Sequence, residues 1–428
     1  MPLALVISHG HPAFSVGGAE VASYNLHRGL GAGGSGWRSH YLARVGPPLT
    51  PHRTTPLMAV KDADDETLYW AESYDWLHLS NPELAQAQGP FERFLAELAP
   101  DLVHFHHVLG FGVEAIRAAR RALGPAAPIV LTLHEYLSIC HHHGQMVTPA
   151  GALCERASAL ACGQCFPEVG AGRLRRRELF LKAFYRQVDA FVSPSRFLAD
   201  RYIEWGLPAE RMHVLENGLA SQAPAPPRPP QRSGRRGRFA FFGRLNSFKG
   251  VHVLLDAVTR LPADAWGEDS LLYLHGSAAH PESYAQEIRR LVHAAGRRVR
   301  FVGPYKSPDL PRLMREVDWV VMPSTWWENA PVVIQEAFHH GRPVIASDIG
   351  GMAEKVRDRV DGLHFRAGSP DSLADCLERA LREPGLWDRL RSRIRRPPTA
   401  VEAADAHATL YRTLLDARGS TRPDSAAA

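Results

Sequence analysis

The stretch STWWENAPVVIQEAFHHGRPVIASDIGG, residues 324–351, follows one apolar run and contains another, and each run has the composition of a buried strand. The two runs are residues 317–322 and 343–347. Between them, residues 331–340 have helical character, and Pro331 suits the first helical position because its missing N–H is no loss there. The stretch therefore predicts strand, loop, helix and strand, which is the repeating unit of a parallel α/β sheet.

Two carboxylates and two backbone amides fall together in this unit. The loop brings Glu328 to the carboxyl end of the first strand, and Glu336 follows eight positions later, inside the helix. Ionised carboxylates only accept hydrogen bonds, so the pair suits the hydroxyl groups of a sugar. The amides of Val332 and Val333 point out of the helix N-terminus, a position that suits a phosphate. The alternative interpretation is two solvated surface glutamates.

Other polar and small residues are placed to join this site. Asn329 stands next to the loop glutamate, and Gly350 and Gly351 open the helix after the following strand, which allows a second close backbone approach. Arg244 and Lys249 follow an earlier strand and lie five positions apart. A planar guanidinium and a compact ammonium both suit a diphosphate. The alternative for these two cations is a pair of exposed charges before a helix.

Four segments of the chain resemble one enzyme family. ENAPVVIQE, residues 328–336, is similar to the E-x7-E motif of the family 4 (group 1) retaining glycosyltransferases, which have the GT-B fold. FGRLNSFKG at 242–250 and SDIGG at 347–351 are also similar to segments of that family. GGAE, which contains Gly17 and Gly18, resembles the family's N-terminal loop across the donor diphosphate. The similarity extends from Gly17 to about Phe365.

The resemblance implies a fold, a reaction and roles for single residues. The fold is α/β of the GT-B type, with two Rossmann-like domains whose parallel sheets face a central cleft. The reaction is transfer of a sugar from a nucleotide-sugar to a hydroxyl acceptor with retention. Glu336 is expected to hold the ribose and Glu328 the sugar hydroxyls, while Arg244 and Lys249 neutralise the departing diphosphate. His134 ends a strand, where ligands bind in open α/β sheets, and is expected to contact the donor sugar.

The chemistry expected of this site needs no catalytic cofactor, because the nucleotide-sugar is itself the substrate. We expect Glu328, His134, Arg244 and Lys249 to act in catalysis. The sequence shows no convincing carboxylate nucleophile on the opposite face of the sugar. A front-face substitution, with the diphosphate as base, is therefore the predicted route.

Length and composition favour two domains in an ordinary globular protein. The chain has 428 residues, 45% of them hydrophobic and 22% charged, and a formal net charge of +5. No apolar run approaches the roughly 20 residues that cross a bilayer, and residues 3–8 have the pattern of a first strand, so we expect a cytoplasmic protein. The predicted parts are an acceptor-side domain at 1–219, a linker at 220–238 rich in Pro, Arg and Gly, a nucleotide-sugar domain at 239–396, a terminal helix crossing back at 397–418 and a disordered tail at 419–428.

Four cysteines lie close together in the sequence. They are Cys140, Cys154, Cys162 and Cys165, and only the last two have the C-x2-C spacing of a zinc knuckle. A second knuckle is missing. The sequence leaves two interpretations open, a structural zinc site or reduced thiols.

A basic segment points to the acceptor. Residues 173–186, RLRRRELFLKAFYR, predict a helix with both basic and apolar positions, which is either an ordinary surface helix or one that lies on an anionic membrane. We predict a peripheral enzyme at the inner face of the membrane that acts on a lipid-linked glycan of cell-envelope or exopolysaccharide assembly. Nucleic acid is not expected, because the basic linker lacks interleaved aromatic residues.

Two other classes of protein are considered. A non-catalytic sugar-nucleotide-binding protein of the GT-B fold remains the alternative, although the presence of both glutamates and both cations argues against it. A nicotinamide dehydrogenase needs a glycine fingerprint after its first strand. The match at residues 31–36 instead follows a helix and precedes a strand, so it is a turn. The nucleotide, the sugar and the acceptor are not specified by these patterns.

Overall fold

The computed structural model describes residues 1–15, 17–32, 34–51, 54–231, 234–277 and 281–419. The predicted tail, residues 419–428, lies outside these ranges from residue 420 onward. The contacts divide the chain into two compact units. The first unit, called the first domain below, contains residues 1–220 and 398–428, and the second domain contains residues 221–397.

The first domain is built on a mostly parallel sheet. Its strands are β1 (Leu3–Ser8), β2 (Arg38–Val45), β3 (Leu57–Val60), β4 (Ala63–Trp70), β5 (Leu102–Phe105), β6 (Ile129–Thr132), β7 (Ala190–Ser193) and β8 (Met212–Val214). Their order in the sheet is β3-β4-β2-β1-β5-β6-β7-β8, and only the β3–β4 pair is antiparallel. The helices between them are α1 (Gly18–Gly31), α2 (Pro90–Leu98), α3 (Glu114–Leu123), α4 (Ala159–Cys165), α5 (Ala171–Tyr185) and α6 (Arg196–Trp205).

The second domain has a parallel sheet with both faces covered. Its strands are β9 (Arg238–Phe242), β10 (Leu271–His275), β11 (Val299–Gly303), β12 (Trp319–Met322), β13 (Val344–Ser347) and β14 (Gly362–Phe365), in the order β11-β10-β9-β12-β13-β14. Its helices are α7 (Val251–Arg260), α8 (Ala263–Trp266), α9 (Glu282–Ala295), α10 (Leu310–Met314), α11 (Val332–His339), α12 (Gly350–Lys355), α13 (Pro370–Arg382) and α14 (Leu386–Arg391). Alternate residues of β9 belong to different cores, since Phe239 and Phe241 face one side and Ala240 and Phe242 the other.

The last helix, α15 (Ala400–Gly419), packs on the first domain. Its buried side chains Ala404, Ala408 and Tyr411 share a core with Leu26 and Trp37. The bridge between Leu219 and Thr399, both in the first domain, lies just before this helix. No helix in the part of the chain that the structure describes is long and apolar enough to cross a membrane.

The architecture of two domains with parallel α/β sheets is confirmed, while several details differ from the sequence prediction. Residues 46–90 show no clear periodicity in the sequence, yet they contain β3 and β4. The strand β4 escapes a pattern search because three of its first four residues, Asp64, Asp65 and Glu66, are acidic. Glu66 is buried, and its carboxylate lies 2.8 Å from Nε2 of His11. Pro331 caps α11 rather than occupying its first turn.

Part of the predicted linker is packed on the second domain. Ala225 is buried, and its amide donates to Nδ1 of His340 at 2.9 Å. The Arg342 guanidinium binds the carbonyl oxygens of Ala225 and Pro226, each at 2.7 Å. These contacts attach the first part of the proline-rich stretch to the second domain.

Candidate active site

The strand order of the second domain creates a crevice at one point. The chain moves outward from β9 in one direction through β10 and β11, and then returns to the other side of β9 with β12. Ligands in such sheets bind beyond the carboxyl ends of the two strands where the order reverses. The loops that follow β9 and β12 carry Arg244, Lys249 and Glu328, so the strand order brings these three residues to one edge of the sheet.

Backbone contacts hold the two loops together. The amide of Thr325 donates to the carbonyl of Phe248 at 2.8 Å, and the Asn246 side chain accepts from the amide of Lys249 at 2.9 Å. Gly250 has a φ of +66°, and a Cβ there would lie 1.8 Å from the carbonyl oxygen of Pro323. Only glycine allows this approach, so the position of the lysine loop depends on it.

Glu328 is buried and bound through one of its two oxygens. Its Oε1 accepts from Lys249 Nζ at 2.6 Å, Ser324 Oγ at 2.8 Å and Trp326 Nε1 at 2.9 Å. Burial raises the pKa of Glu328, but the charge of Lys249 and these hydrogen bonds outweigh burial and lower that pKa overall. Its Oε2 has no hydrogen bond within the described residues, so an ionised oxygen is left for a ligand hydroxyl.

Gly350 and Gly351 lie in backbone contact with the loop that carries Glu328. The amide of Gly351 donates to the carbonyl of Glu328 at 2.6 Å, and a Cβ at this position would lie 1.6 Å from the carbonyl oxygen of Asn329. The Gly351 amide is therefore already engaged by the loop. The two glycines therefore support the site by packing against the backbone of the Glu328 loop. The sequence predicted a close backbone approach at these glycines but not that the loop itself makes it.

Glu336 differs from Glu328 in its electrostatic environment. It lies one turn into α11 and is half-buried, and its side-chain carboxyl group has no hydrogen bond within the described residues. Burial raises the pKa of Glu336 to about 7. Burial also raises the pKa of Tyr305, and the charge of Glu336 adds to that rise. The first-turn amides of Val332 and Val333 lie just before it on the same helix. The helix therefore offers two amide donors and a carboxyl group that is close to half ionised at neutral pH.

Arg244 is the free cation of the two predicted for the diphosphate. It is exposed shortly after β9, and its guanidinium makes no hydrogen bond or ion pair among the residues that the structure describes. Lys249 binds Glu328, but an ammonium has three donors and this contact uses one. Both cations thus retain N–H groups for an anion. Ser324 and Trp326, which orient Glu328, were not predicted because a serine and a tryptophan in a loop carry no distinctive spacing.

The first domain places His134 just after β6 among other histidines. Its Nε2 lies 3.1 Å from Nδ1 of His106, and burial lowers the pKa of His134 to about 3, so the imidazole is neutral.

Gly17 is the N-cap of α1 and Gly18 its first residue. A Cβ on Gly17 would lie 2.4 Å from Oε2 of Glu20, so a larger residue there would displace this carboxylate. Burial raises the pKa of Glu20, but its contacts with His9 and Ser15 outweigh burial and lower this pKa to about 2.

The structure does not support the zinc site. Within the described residues, no three of the sulfurs of Cys140, Cys154, Cys162 and Cys165 lie within 4.8 Å of one another, as ligands of one ion must. Burial raises the pKa of Cys140 to about 11 and also raises those of Cys154 and Cys162. The four cysteines are free thiols in the structure.

Only part of the basic helix α5 is available to a surface. Arg177 is buried and binds backbone carbonyl groups, including that of Ser138 at 2.7 Å. Phe184 is also buried, with the guanidinium of Arg117 4.3 Å from its ring centroid. These two residues therefore cannot face lipid, contrary to the sequence prediction. The exposed positions are Arg173, Arg175, Arg176, Leu179 and Arg186.

Two family models match the chain, one in each domain. The model described as Glycosyltransferase Family 4 matches residues 16–222, and the model described as Glycosyl transferases group 1 matches residues 236–383. Together the two ranges take in most of the chain.

Curated relatives include D-inositol 3-phosphate glycosyltransferases. The protein of Jonesia denitrificans is 33% identical over 201 residues, which cover 44% of this chain and 47% of that protein. The protein of Xylanimonas cellulosilytica is 28% identical over 305 residues, which cover 68% of this chain and 66% of that protein. The matches thus span 47% and 66% of the lengths of these two relatives.

Solved structures resemble the chain over nearly its whole length. Sucrose-phosphate synthase of Thermosynechococcus elongatus has a TM-score of 0.69 and 21% identity, with 97% of this chain and 99% of that chain covered. Anabaena HepE in complex with UDP and glucose has a TM-score of 0.60 and 19% identity, with coverage of 98% and 99%. This likeness concerns the fold and confirms the GT-B class. With both family models matched, the chain belongs to the family 4 (group 1) glycosyltransferases.

Proposed function

We propose that the chain transfers a sugar from a nucleotide-sugar donor to a hydroxyl group of an acceptor. The observation that carries this proposal is the arrangement around Glu328 at the edge of the second sheet. One oxygen is fixed by three donors, the other is open, and cations and helix amides lie on the same edge. A carboxylate that is bonded on one side only is suited to hold a sugar hydroxyl on the other.

Each residue of the site then has a role toward one part of the donor. Arg244, Lys249 and the amides of Val332 and Val333 bind the diphosphate, whose negative charge grows as the sugar leaves. Glu336 accepts hydrogen bonds from the ribose, and the Oε2 of Glu328 accepts from the sugar. Lys249 links the two regions because it binds both Glu328 and the diphosphate. Neutral His134 acts as a hydrogen-bonding group toward the sugar rather than as a charge.

We place the acceptor hydroxyl on the same face of the sugar as the departing diphosphate. Retention then follows from a front-face substitution in which a diphosphate oxygen takes the proton of the acceptor. The C–O bond to the diphosphate breaks, the C–O bond to the acceptor forms, and the proton ends on the nucleoside diphosphate. This choice is supported by the resemblance to retaining enzymes. A UDP-sugar is the first donor to test, because UDP and UDP-glucose are bound by the structural neighbour HepE.

Donor binding tests the assignment directly. Thermal shifts with UDP-, GDP- and ADP-glucose identify the nucleotide, and titration calorimetry then compares variants. We expect Lys249→Met and Glu336→Gln to fold normally and to bind the donor about tenfold to a hundredfold more weakly, since each loses a charge-assisted hydrogen bond of roughly 1.5–3 kcal/mol. The exposed Arg297→Gln, on the second domain, should match the unchanged protein. A chain that no nucleotide-sugar stabilises would contradict the proposed function.

The pH dependence of donor affinity provides a sharper prediction for Glu336. Ribose hydroxyls donate to its ionised form, whereas the free carboxyl has a pKa of about 7. Binding therefore releases a proton, and affinity for UDP-glucose should rise by up to about tenfold from pH 6 to pH 8 and then level off. Calorimetry across this range measures the rise, and Glu336→Gln should remove it. An unchanged pH profile in the variant would show that this carboxyl does not meet the donor.

We also propose that the acceptor is a lipid-linked glycan of envelope or exopolysaccharide assembly, reached at an anionic membrane surface. The support is the exposed part of α5, where Arg173, Arg176 and Leu179 follow one another at three-residue intervals. Arg175 is excluded from this set because it pairs with Glu178 at 2.9 Å. Each remaining arginine contributes about 1 kcal/mol near anionic lipid.

Vesicle sedimentation is the measurement for the membrane. Binding to vesicles with phosphatidylserine should fall with added salt and weaken about tenfold or more when Arg173→Ser and Arg176→Ser are combined. Arg290→Ser combined with Arg297→Ser, at two exposed positions of the second domain, is the control of equal charge change. Equal binding to neutral vesicles, or none to anionic ones, would point to a water-soluble acceptor.

A further inference from the structure

The first domain contains its own large cavity. It has a volume of about 750 Å³ and is lined by the segments that follow β1, β2, β4 and β5. These strands meet where the order of the first sheet reverses around β1, the usual place for a ligand in an open α/β sheet. The volume is in the range of pockets that take small molecules of one or two sugar rings.

Arg44 is the cation of this cavity and has no carboxylate partner. It is the second-last residue of β2, and its side chain is half-buried. Its Nη2 donates to the carbonyl of Ala71 at 2.5 Å, while no ion pair to it exists among the described residues. Glu72 also lines the cavity without forming an ion pair to Arg44. Burial lowers the pKa of Arg44, yet a guanidinium remains charged in proteins.

An unpaired, half-buried guanidinium is unfavourable unless an anion reaches it. Removing a charge from water costs free energy that only a partner returns. The chain leaves room for that partner, because residue 46 is glycine and a Cβ there would lie 2.9 Å from Nη2 of Arg44. The guanidinium is thus held by one backbone carbonyl while its remaining N–H groups are uncommitted.

The other lining groups suit a sugar ring. Trp76 is 57% exposed and packs edge-to-face with Tyr74 at 5.2 Å between ring centroids, and Phe14 is 56% exposed. Exposed aromatic rings present flat apolar surfaces to the C–H face of a sugar. Glu72 adds a carboxylate at the same cavity, whereas both ring nitrogens of the lining residue His11 are already bonded, to Glu66 and to the amide of Ala13.

We propose that this cavity binds the acceptor, and that the acceptor is a sugar that carries an oxyanion, phosphate or carboxylate, bound by Arg44. The sugar ring lies against Trp76, and the guanidinium binds two oxygens of the anion. This inference rests on the proposed function, because it assigns the acceptor of the same reaction. It names a specificity-determining residue that the motifs did not indicate, although the strand-end reasoning used for His134 applies equally to Arg44.

Saturation-transfer NMR with three probes tests the inference while UDP fills the donor site. The probes are glucose 1-phosphate, glucuronate and methyl α-glucoside, which separate phosphate, carboxylate and neutral acceptors. We expect at least one anionic probe to bind about tenfold more tightly than the neutral one, and Arg44→Gln to weaken it about tenfold to a hundredfold. Arg38→Gln is the matched control, since Arg38 is exposed at the opposite end of the same strand.

The outcomes separate the two proposals. Arg44→Gln should leave UDP-glucose affinity unchanged within twofold, and Trp76→Ala should weaken all three probes alike. If the neutral probe binds as well as both anions, or if Arg44→Gln binds the anions as the unchanged protein does, the inference is wrong while the donor site stands. If no nucleotide-sugar binds at all, the proposed function fails, whatever the anionic probes do.

Discussion

At pH 5 the first domain is expected to be unfolded or close to it, because four buried histidines must stay neutral for it to fold. Burial lowers the pKa of His104 and His106 well below the usual value, that of His134 to about 3 and that of His407 to about 4. The rings of His104 and His106 are only 4.4 Å apart, so two charges would also repel each other.

The sign of the effect follows from linkage. In the unfolded chain these imidazoles titrate near pH 6.5, so below this value the unfolded state binds protons that the folded state rejects. Stability is present above pH 6.5 and falls as the pH drops, by about 1.4 kcal/mol per pH unit for each histidine. At pH 5, His134 and His407, whose pKa values in the folded protein are about 3 and about 4, each cost about 2 kcal/mol. His104 and His106 add to this loss, against a typical total stability of roughly 5–15 kcal/mol.

Urea unfolding between pH 7.5 and pH 5, with hydrogen exchange to locate the loss, measures this effect. His104→Gln should reduce the slope of stability against pH by about one proton, because glutamine can still bond Thr132 and Tyr411 without becoming charged. His293→Gln, at an exposed position of α9, should leave the slope unchanged. A first domain that is equally stable at pH 5 and pH 7.5 would show that these histidines take up protons while folded.

Arg342→Met is expected to lower the free energy of unfolding of the second domain by more than about 4 kcal/mol. Arg342 is fully buried, and its guanidinium donates to five backbone carbonyl groups. These belong to Ala225, Pro226, Met314, Val317 and His340. Methionine has a similar length but no donor, so the five acceptors lose their partner at roughly 1–3 kcal/mol for each that water cannot reach.

Chemical denaturation monitored by circular dichroism measures the loss. Arg342→Lys should recover part of the stability, because one ammonium reaches fewer acceptors than the planar guanidinium. Arg290→Met, on the exposed side of α9, is the matched control and should change stability by less than about 0.5 kcal/mol. Hydrogen exchange should rise first at residues 221–227, which Arg342 attaches to the domain. A loss below about 1 kcal/mol would mean that the carbonyl groups find other partners.

The parallel strands around the site could be predicted from the sequence because their signals are local. Apolar runs such as residues 317–322 alternate with helical segments, and the glycines and prolines between them mark the turns. The same pattern placed Glu328, Arg244 and Lys249 at strand ends, since parallel strands present their carboxyl ends at one edge. The strand β4 was missed because its first residues are acidic, and only pairing with β2 and β3 makes them a strand.

Contacts between distant residues were decided by the tertiary structure alone. Lys249 and Glu328 are 79 positions apart, and their 2.6 Å bond exists because the strand order places β9 beside β12. The tertiary structure also decided that Arg177 of α5 is buried, that the four cysteine sulfurs do not lie close together and that Arg44 has no carboxylate partner. A sequence specifies which groups are present and their local spacing. Burial and distance, which set the pKa of Glu336 and leave Arg44 without a carboxylate, arise only when separate segments pack together.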